Sequence, residues 1–308
     1  SRIWTSPRCS RIVVSPGILR QMAEVYRRIR NTCRFLLGNL YDFDPRQDLV
    51  PYEELPELDR WALLRLARLV QRLTEAFDEY QFYHFYHAVH NFCAVDLSAF
   101  YLDVIKDRLY TSRANAPQRR AAQTVLFHLL STLVRLLAPI LSHTAEEVWQ
   151  HLPAHLPEGP RPESVYLTEW PQVETSYLDA GLEERWERLL RVRGVVSKAL
   201  ELARGQKLIG NSLEAAVALY PDQEIYEWLF PYEAELATVF IVSRVVLAEP
   251  GSTPPPQAYR SSDLPGLAVA VERAAGHKCA RCWVWHPEVG QDQEFPDLCP
   301  RCLAVLRG

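Results

Sequence analysis

The sequence predicts a mainly α-helical protein, in which an antiparallel helical bundle is followed by a small α/β junction module and a C-terminal four-cysteine module. Three observations predict this fold class. Apolar residues recur every three or four positions from Pro16 to about residue 152, as on the buried face of a helix. Later stretches alternate between apolar and polar residues, which is typical of strands. Finally, two Cys-x-x-Cys pairs lie near the C-terminus.

Composition narrows the class of protein. The 308 residues are 48% apolar and 23% charged, which is ordinary for a globular protein, and the net charge of −4 gives no sign of a nucleic-acid partner. The most apolar stretch, "TLVRLLAPIL", is interrupted by Arg135, so we expect no membrane partner. The predicted units are a helical domain (1–152), a connector (153–181), the junction domain (182–272) and the terminal module (273–308).

Four helical runs form the predicted bundle. The first starts with Ser15 as its N-cap and Pro16 as its first helical residue, and is expected to end by Asp44-Pro45. The second covers 58–76, and the third is the aromatic-rich stretch 77–110. The fourth, 117–152, contains Pro139 and should break there. Thr144, followed three residues later by a glutamate, predicts a capping box at the start of a new helix.

The sequence pattern changes in residues 182–272, where alternating, strand-like stretches follow a helical one. "LEERWERLLRVRGVVSKALELARGQK" is one amphipathic helix, and "NSLEAAVALYP" alternates as a strand does. A helical stretch around Pro231 follows, and then two more strands, "IVSRVVLAEP" and "GLAVAVERA". This order of elements predicts the small α/β junction module.

The four terminal cysteines have the spacing of a metal site. Cys279, Cys282, Cys299 and Cys302 form a C-x2-C-x16-C-x2-C pattern, which matches structural zinc sites. Four thiolates complete the tetrahedron that one Zn²⁺ prefers and leave no position for a substrate, so the predicted zinc is structural. Two disulfides or a redox pair are the alternatives. The sequence shows no signal peptide, and Cys33 and Cys93 lie in helical patterns like reduced thiols, which favours zinc in a cytoplasmic protein.

The first helix carries a row of basic residues. At about 100° per residue, Arg20, Arg27, Arg30, Asn31 and Arg34 cluster about 130° away from the apolar face. Such a row can bind phosphates and hydrogen-bond to bases, or it can be a solvated face paired with acids. The sequence contains no nucleotide-binding or hydrolase motif and no other catalytic constellation.

Taken in order, several motifs resemble the C-terminal half of the bacterial-type isoleucyl-tRNA synthetase family. They are "VYRRIRNTCRFLLGNLYDFDP", "FCAVDLSAFYLDVIKDRLYTS", "RRAAQTVLFHLLSTLVRLLAPILSHTAEEVW", "VYLTEWP", "ARGQKLIGNSLEAAVAL" and "CARCW…CPRC". The resemblance implies a monomer whose anticodon-binding, junction and zinc domains bind the anticodon arm of tRNA(Ile). It also implies tRNA contacts from the arginine face and from the zinc module: Arg27, Arg30, Asn31, Arg34, Arg281 and Trp283.

The sequence departs from that family in two ways. The HIGH-like and KMSKS-like motifs and the editing domain are missing, so ATP and isoleucine belong to a catalytic half that this chain lacks. We therefore expect no catalysis from this chain alone, and a separate catalytic half is a further possible partner. Residues 1–11 do not match the family, and Cys9 is given no role.

Other classes of protein remain as alternatives. Formamidopyrimidine-DNA glycosylases carry a similar zinc module on duplex DNA, but need a catalytic N-terminal proline, where this sequence reads Ser1-Arg2. A scaffold that binds other proteins is the third hypothesis. For Trp283, packing over the zinc knuckle is an alternative to stacking on a base.

Overall fold

The computed structural model describes residues 15–308, so the predictions about residues 1–11 and Cys9 lie outside the described residues. In this part the helices are α1 (Pro16–Gly38), α2 (Glu57–Asp78), α3 (Phe82–Asn91), α4 (Leu102–Thr111), α5 (Pro117–Leu137), α6 (Ser142–Gln150), α7 (Ala180–Gly205), α8 (Gln223–Leu229), α9 (Glu233–Phe240) and α10 (Pro300–Arg307). The strands are β1 (His155–Leu156), β2 (Gly159–Pro160), β3 (Ala215–Pro221), β4 (Arg244–Leu247), β5 (Tyr259–Arg260), β6 (Leu267–Arg273), β7 (His277–Lys278) and β8 (Trp285–His286). The predicted mainly helical fold class is confirmed.

Helix α1 begins where the sequence predicts. The Ser15 hydroxyl accepts a hydrogen bond from the Ile18 N–H at 3.3 Å, which caps the helix N-terminus. The helix ends at Gly38, so the expected end at Asp44-Pro45 is wrong. Glycine is a poor helix former, and the Asn39 side chain donates to the Phe35 carbonyl at 2.8 Å, which closes the last turn.

The third helical run starts at Phe82 instead of residue 77, because α2 extends to Asp78, and it is continuous from there. Helices α3 and α4 are joined by a π-helical segment, Phe92–Tyr101, into one helix, Phe82–Thr111, that is long and apolar enough to cross a membrane by length and composition. Asp96 and Asp103 interrupt the apolar residues of this helix, so the high hydropathy of the whole helix is not obvious from the sequence. Of the most apolar stretch of this helix, 56% is buried inside the protein, as expected for the central helix of a bundle.

The break at Pro139 is confirmed, since α5 ends at Leu137 and α6 starts at Ser142. The capping box predicted at Thr144 is wrong, because Thr144 lies inside α6. Its buried hydroxyl instead forms a hydrogen bond with the Tyr26 hydroxyl of α1 at 2.9 Å. The Thr144 side chain therefore makes a contact between two helices, instead of the cap that the local sequence pattern predicts.

The junction module contains a four-stranded sheet in the order β4-β3-β6-β5. Strand β3 pairs in parallel with β4, to which α8 and α9 connect it, and antiparallel with β6. Helix α7 joins this sheet to the bundle, since Trp186 packs against Trp61 of α2 with ring centroids 5.8 Å apart and donates to Glu57 at 3.0 Å. One continuous apolar core includes residues from α1 to β6. Because the helical and junction domains share this core, the boundaries between the domains stay predictions.

The terminal module has its own small core around the four cysteines, with Val289 and Leu298. Polar contacts attach it to the bundle. Arg301 of α10 donates to both carboxylate oxygens of Asp107 in α4, at 2.5 and 2.8 Å. Arg113, which follows α4, donates to the carbonyls of Ala304 and Val305 at 2.9 and 3.1 Å. These contacts fix the position of the module beside the α4–α5 turn.

We expect Asp107→Ala to loosen this docking without unfolding either part. The Asp107–Arg301 pair is partly exposed, so its loss should cost less than about 1 kcal/mol. Hydrogen–deuterium exchange should therefore speed up a few-fold in α10 and stay unchanged in α2. Asp103→Ala, which removes an exposed carboxylate from the same helix, is the matched control and should leave exchange in α10 unchanged. Equal exchange in the two variants would contradict the assignment.

Candidate metal centre and nucleic-acid interface

The four cysteines form one compact cluster. Their sulfur atoms all lie within 4.8 Å of one another, and the Sγ atoms of Cys282 and Cys299 are 3.7 Å apart. Sulfurs about 2.3 Å from one zinc ion lie about 3.8 Å apart in a tetrahedron, whereas disulfide sulfurs bond at about 2.05 Å. The six described cysteines are all free thiols, so the disulfide alternative is wrong for them. The arrangement fits a closed zinc site.

The backbone around the cluster is arranged to hold thiolates. The Cys299 N–H donates to the Cys279 sulfur at 3.4 Å. Burial opposes ionisation of Cys279, but backbone N–H groups of residues 281, 282 and 299 lower its pKa to about 7. Burial raises the pKa of Cys302 to about 11, and the neighbouring Cys299 adds to that effect. A bound zinc ion supplies the positive charge that stabilises several thiolates in one place.

Two short elements hold the first knuckle. Strands β7 and β8 pair on either side of Cys279 and Cys282. Gly276 precedes them with φ of +88°, and a β-carbon there would lie 2.2 Å from the His286 carbonyl oxygen, so only glycine fits. The second pair sits at the start of α10, where Cys299 is the residue before the helix. The site is thus built from a hairpin and a helix N-terminus.

Trp283 projects from the first knuckle. Its backbone has φ of +67°, the left-handed region that costs most residues about 1–2 kcal/mol. Its N–H donates to the Cys279 carbonyl at 3.0 Å, and the residue is 59% exposed. The Lys278 ammonium lies 4.9 Å from the ring centroid, a cation–π distance. Sequence reasoning missed Lys278, although a lysine directly before a zinc ligand is a visible signal in this arginine-rich chain.

Arg281 and Arg301 flank the same cluster. Arg281 is half-buried, and one of its terminal nitrogens, Nη1, is buried with no hydrogen-bond partner within residues 15–308. Burial disfavours the charged form of Arg301, but its bonds to Asp107 and Cys282 hold its pKa above the ordinary value. Arg301 is therefore engaged in docking the module, whereas Arg281 keeps unused hydrogen-bonding capacity.

The predicted arginine face of α1 is exposed throughout: Arg20, Arg27, Arg30, Asn31 and Arg34. Two of its members touch acids, since Arg27 donates to Glu24 at 2.6 Å and Arg30 lies 4.0 Å from Glu147. In the described part of the chain, the side chains of Asn31 and Arg34 form no hydrogen bond or ion pair. Arg27, Asn31 and Arg34 follow one another at spacings of four and three residues, so they form one line along the helix.

Comparisons with protein families match two parts of the chain. The family described as "Anticodon-binding domain of tRNA ligase" matches residues 59–219, more than half of the chain. The family described as "Zinc finger found in FPG and IleRS" matches residues 276–305, which include all four clustered cysteines. The zinc site is therefore of a known structural type, attached to a helical anticodon-binding unit.

Curated relatives are similar along almost the whole chain. The isoleucine–tRNA ligase of Moorella thermoacetica is 54% identical over 308 residues, covering 99% of this chain and 33% of the relative. That of Caldanaerobacter subterraneus subsp. tengcongensis is 54% identical over 292 residues, covering 95% and 31% respectively. That of Thermoanaerobacter sp. strain X514 is 50% identical over 307 residues, covering 99% and 32%. The chain thus spans about a third of these relatives' length, rather than half.

Proposed function

The chain belongs to the anticodon-binding domain family of tRNA ligases, and from this membership we propose that it is the part of an isoleucine–tRNA ligase that binds the anticodon arm of tRNA(Ile). The proposed contacts are the arginine face of α1 and the zinc module, through Arg27, Arg30, Asn31, Arg34, Arg281 and Trp283. Amino-acid activation with ATP and isoleucine belongs, in this proposal, to the rest of the ligase, in the cytoplasm.

The exposed ring of Trp283 is the single observation on which the proposed recognition of an anticodon base depends. A large aromatic ring that is mostly exposed, on a strained backbone beside a metal ligand, costs stability without adding to the core. Single-stranded loops of RNA are recognised by stacking unpaired bases on such rings. Trp283 is mostly exposed, which supports stacking on a base over packing on the knuckle.

The arginine face has a different role in this proposal. Guanidinium groups on one exposed helix face bind phosphates in any sequence, so they fix position and add little discrimination. The net charge of the chain is negative, and attraction to RNA must therefore come from a local face of this kind. The zinc centre holds Trp283 and Arg281 in place and takes no part in chemistry.

A binding titration tests the proposal. We expect the chain to bind tRNA(Ile) more tightly than tRNA(Val), and both more tightly than a duplex DNA of equal length at the same salt concentration. Equal affinity for the DNA would favour the alternative of a zinc-finger protein of the DNA-repair glycosylase type. Lack of binding to any nucleic acid would favour a protein-binding scaffold.

Single substitutions should separate the two kinds of contact. Arg27→Ala should weaken binding to all tRNAs alike and reduce the slope of log K against log salt by about one. Trp283→Ala should cost about 1–3 kcal/mol of binding free energy to tRNA(Ile), the usual scale of a lost base–aromatic stack. Trp283→Phe, which keeps a ring, is its matched control and should recover most of the affinity.

An abasic substitution in the RNA decides whether Trp283 stacks. If it does, the loss caused by Trp283→Ala should shrink on an anticodon stem-loop that lacks the stacked base. Additive losses from the protein and RNA changes would exclude stacking. A lower zinc content in Trp283→Ala, with unchanged relative affinity for the two stem-loops, would instead assign the ring to the zinc knuckle.

A further inference from the structure

An aromatic groove lies at the end of the bundle opposite the docked zinc module. The end of α2, the start of α3 and the turn between α5 and α6 line it, through Phe77, Asp78, Tyr80, Phe82, Pro139 and Ile140. Its volume is about 560 Å³, within the about 300–1,000 Å³ typical of small-ligand sites. The continuous helix Phe82–Thr111 separates the groove from the module by about 45 Å, because its 30 residues rise about 1.5 Å each. The groove is therefore separate from the zinc module.

Three aromatic rings line the groove. The ring centroids of Phe77 and Phe82 are 5.3 Å apart with their planes at 77°, and those of Tyr80 and Phe82 are 6.2 Å apart at 88°. Trp170 packs against Phe77 with centroids 4.8 Å apart, and its indole N–H donates to the Thr74 hydroxyl at 2.9 Å, which fixes the Phe77 side of the groove. Aromatic rings set nearly at right angles around one space are typical of cages that bind ammonium groups through the negative ring faces.

Tyr80 occupies its position at a cost in stability. Its φ is +56°, and it stands just after the end of α2, where glycine is usual because a β-carbon disfavours the left-handed backbone. The Tyr80 N–H donates to the Phe77 carbonyl at 3.1 Å and the Gln81 N–H to the Ala76 carbonyl at 2.7 Å, the two bonds of this helix-ending motif. Tyr80 is 81% exposed, so burial of its ring does not offset the strain. Contact of the ring with a ligand gives a reason for a tyrosine here.

The charges at the end of α2 favour a cation. Residues 73–83 contain three carboxylates, those of Glu75, Asp78 and Glu79, and no lysine, arginine or histidine. Asp78 lines the groove, and in the part of the chain that the structure describes its carboxylate forms no hydrogen bond or ion pair. The groove also lies at the C-terminal end of α2, which is the negative end of the helix dipole, and the last turn of α2 has no basic residue. A neutral or anionic ligand would gain nothing from these charges.

We propose that this groove binds an alkylammonium group, which contacts the rings of Phe77, Tyr80 and Phe82 and pairs with the carboxylate of Asp78. Pro139 and Ile140 supply apolar contacts for the carbon atoms next to the nitrogen. The group belongs to a free polyamine or to a lysine side chain of another protein, since both present an ammonium on a chain of methylene groups. The inference goes beyond the proposed function and does not depend on it, because no RNA contact is involved.

Ligand-observed NMR titrations of the full chain test the inference. The first pair of probes is choline and 3,3-dimethylbutan-1-ol, the neutral isostere in which carbon replaces the nitrogen. We expect choline to bind with a Kd of about 1 mM, as suits a small cation in an open aromatic groove, and the neutral probe to bind about tenfold more weakly or less well still. Spermidine and a lysine blocked at its α-amino and carboxyl groups form the second pair. Tighter binding of spermidine assigns the groove to a free polyamine, and tighter binding of the blocked lysine assigns it to a protein side chain.

Tyr80→Gly separates ligand binding from stability. Glycine relieves the left-handed backbone, so this variant should melt at a higher temperature than the parent while it binds choline about tenfold more weakly. Tyr80→Phe keeps a ring and should bind choline within twofold of the parent. Asp78→Asn should bind choline about threefold more weakly, because it removes the charge and keeps the rings. Tyr110→Ala, at an exposed tyrosine near the other end of the bundle, is the matched control and should bind choline as the parent does.

Three results would overturn the inference. One is a parent that binds neither choline nor spermidine. Another is equal affinity for choline and its neutral isostere, because the groove would then bind apolar groups without regard to charge. The third is unchanged choline binding in Tyr80→Gly, with a melting temperature that shows the variant to be folded. Each of these results leaves the proposed function intact, since tRNA binding is assigned to α1 and the zinc module.

Discussion

Cys299→Ser is expected to abolish zinc retention and unfold the terminal module while the helical bundle stays folded. The module has only a few buried apolar residues besides its cysteines, so most of its folding free energy comes from the metal. Structural zinc sites of this kind contribute about 10–16 kcal/mol of apparent binding free energy at pH 7. The bundle keeps its own separate core, and its helices should survive.

Zinc content and circular dichroism together check this expectation. The parent should carry one zinc per chain by elemental analysis, and Cys299→Ser none, with loss of less than a tenth of the helical signal because α10 is short. Cys33→Ala is the matched control, since it removes a buried thiol from α1 outside the cluster and should retain one zinc. Zinc at one per chain in Cys299→Ser would show that four thiolates are not required.

Arg108→Ala is expected to be the most destabilising single change within the bundle. Asp59 of α2 is completely buried, and Arg108 of α4 donates to both of its oxygens at 2.7 and 2.8 Å. The Tyr101 hydroxyl donates to the same carboxylate at 2.7 Å. Removing Arg108 leaves a buried carboxylate without its countercharge, which costs about 3–5 kcal/mol.

The measurement is the urea midpoint of the helical signal in zinc-loaded protein. Lys106→Ala is the matched control, because Lys106 is a basic residue of the same helix whose ion pair with Asp103 is exposed. It should shift stability by less than about 1 kcal/mol. Replacing Asp59 and Arg108 together by leucine should destabilise less than Arg108→Ala alone. A double variant as unstable as the single one would mean that packing, rather than the unpaired charge, sets the loss.

Local patterns predicted most of the elements. The N-cap at Ser15, the break at Pro139 and the strand containing Val217 depend on residues that are neighbours in the chain, and each was confirmed. The same reasoning was wrong where a distant contact intervened. Thr144 was assigned to a cap and instead bonds Tyr26, which is 118 residues away. The apolar spacing in α1 predicts a buried face that includes Met22, but Met22 is 41% exposed near the N-terminal end of the helix.

The mainly helical fold, the zinc ligands and the family resemblance are all predictable from the amino-acid sequence, because spacing along the chain sets helix periodicity and the geometry of each Cys-x-x-Cys knuckle. Which exposed groups share a surface is known from the three-dimensional structure and not from these patterns. The Asp107–Arg301 contact joins residues 194 positions apart, and Arg119 of α5 donates to Asp42, which lies 77 positions before it. Such proximity depends on helix packing angles and loop paths, which a one-dimensional pattern does not specify.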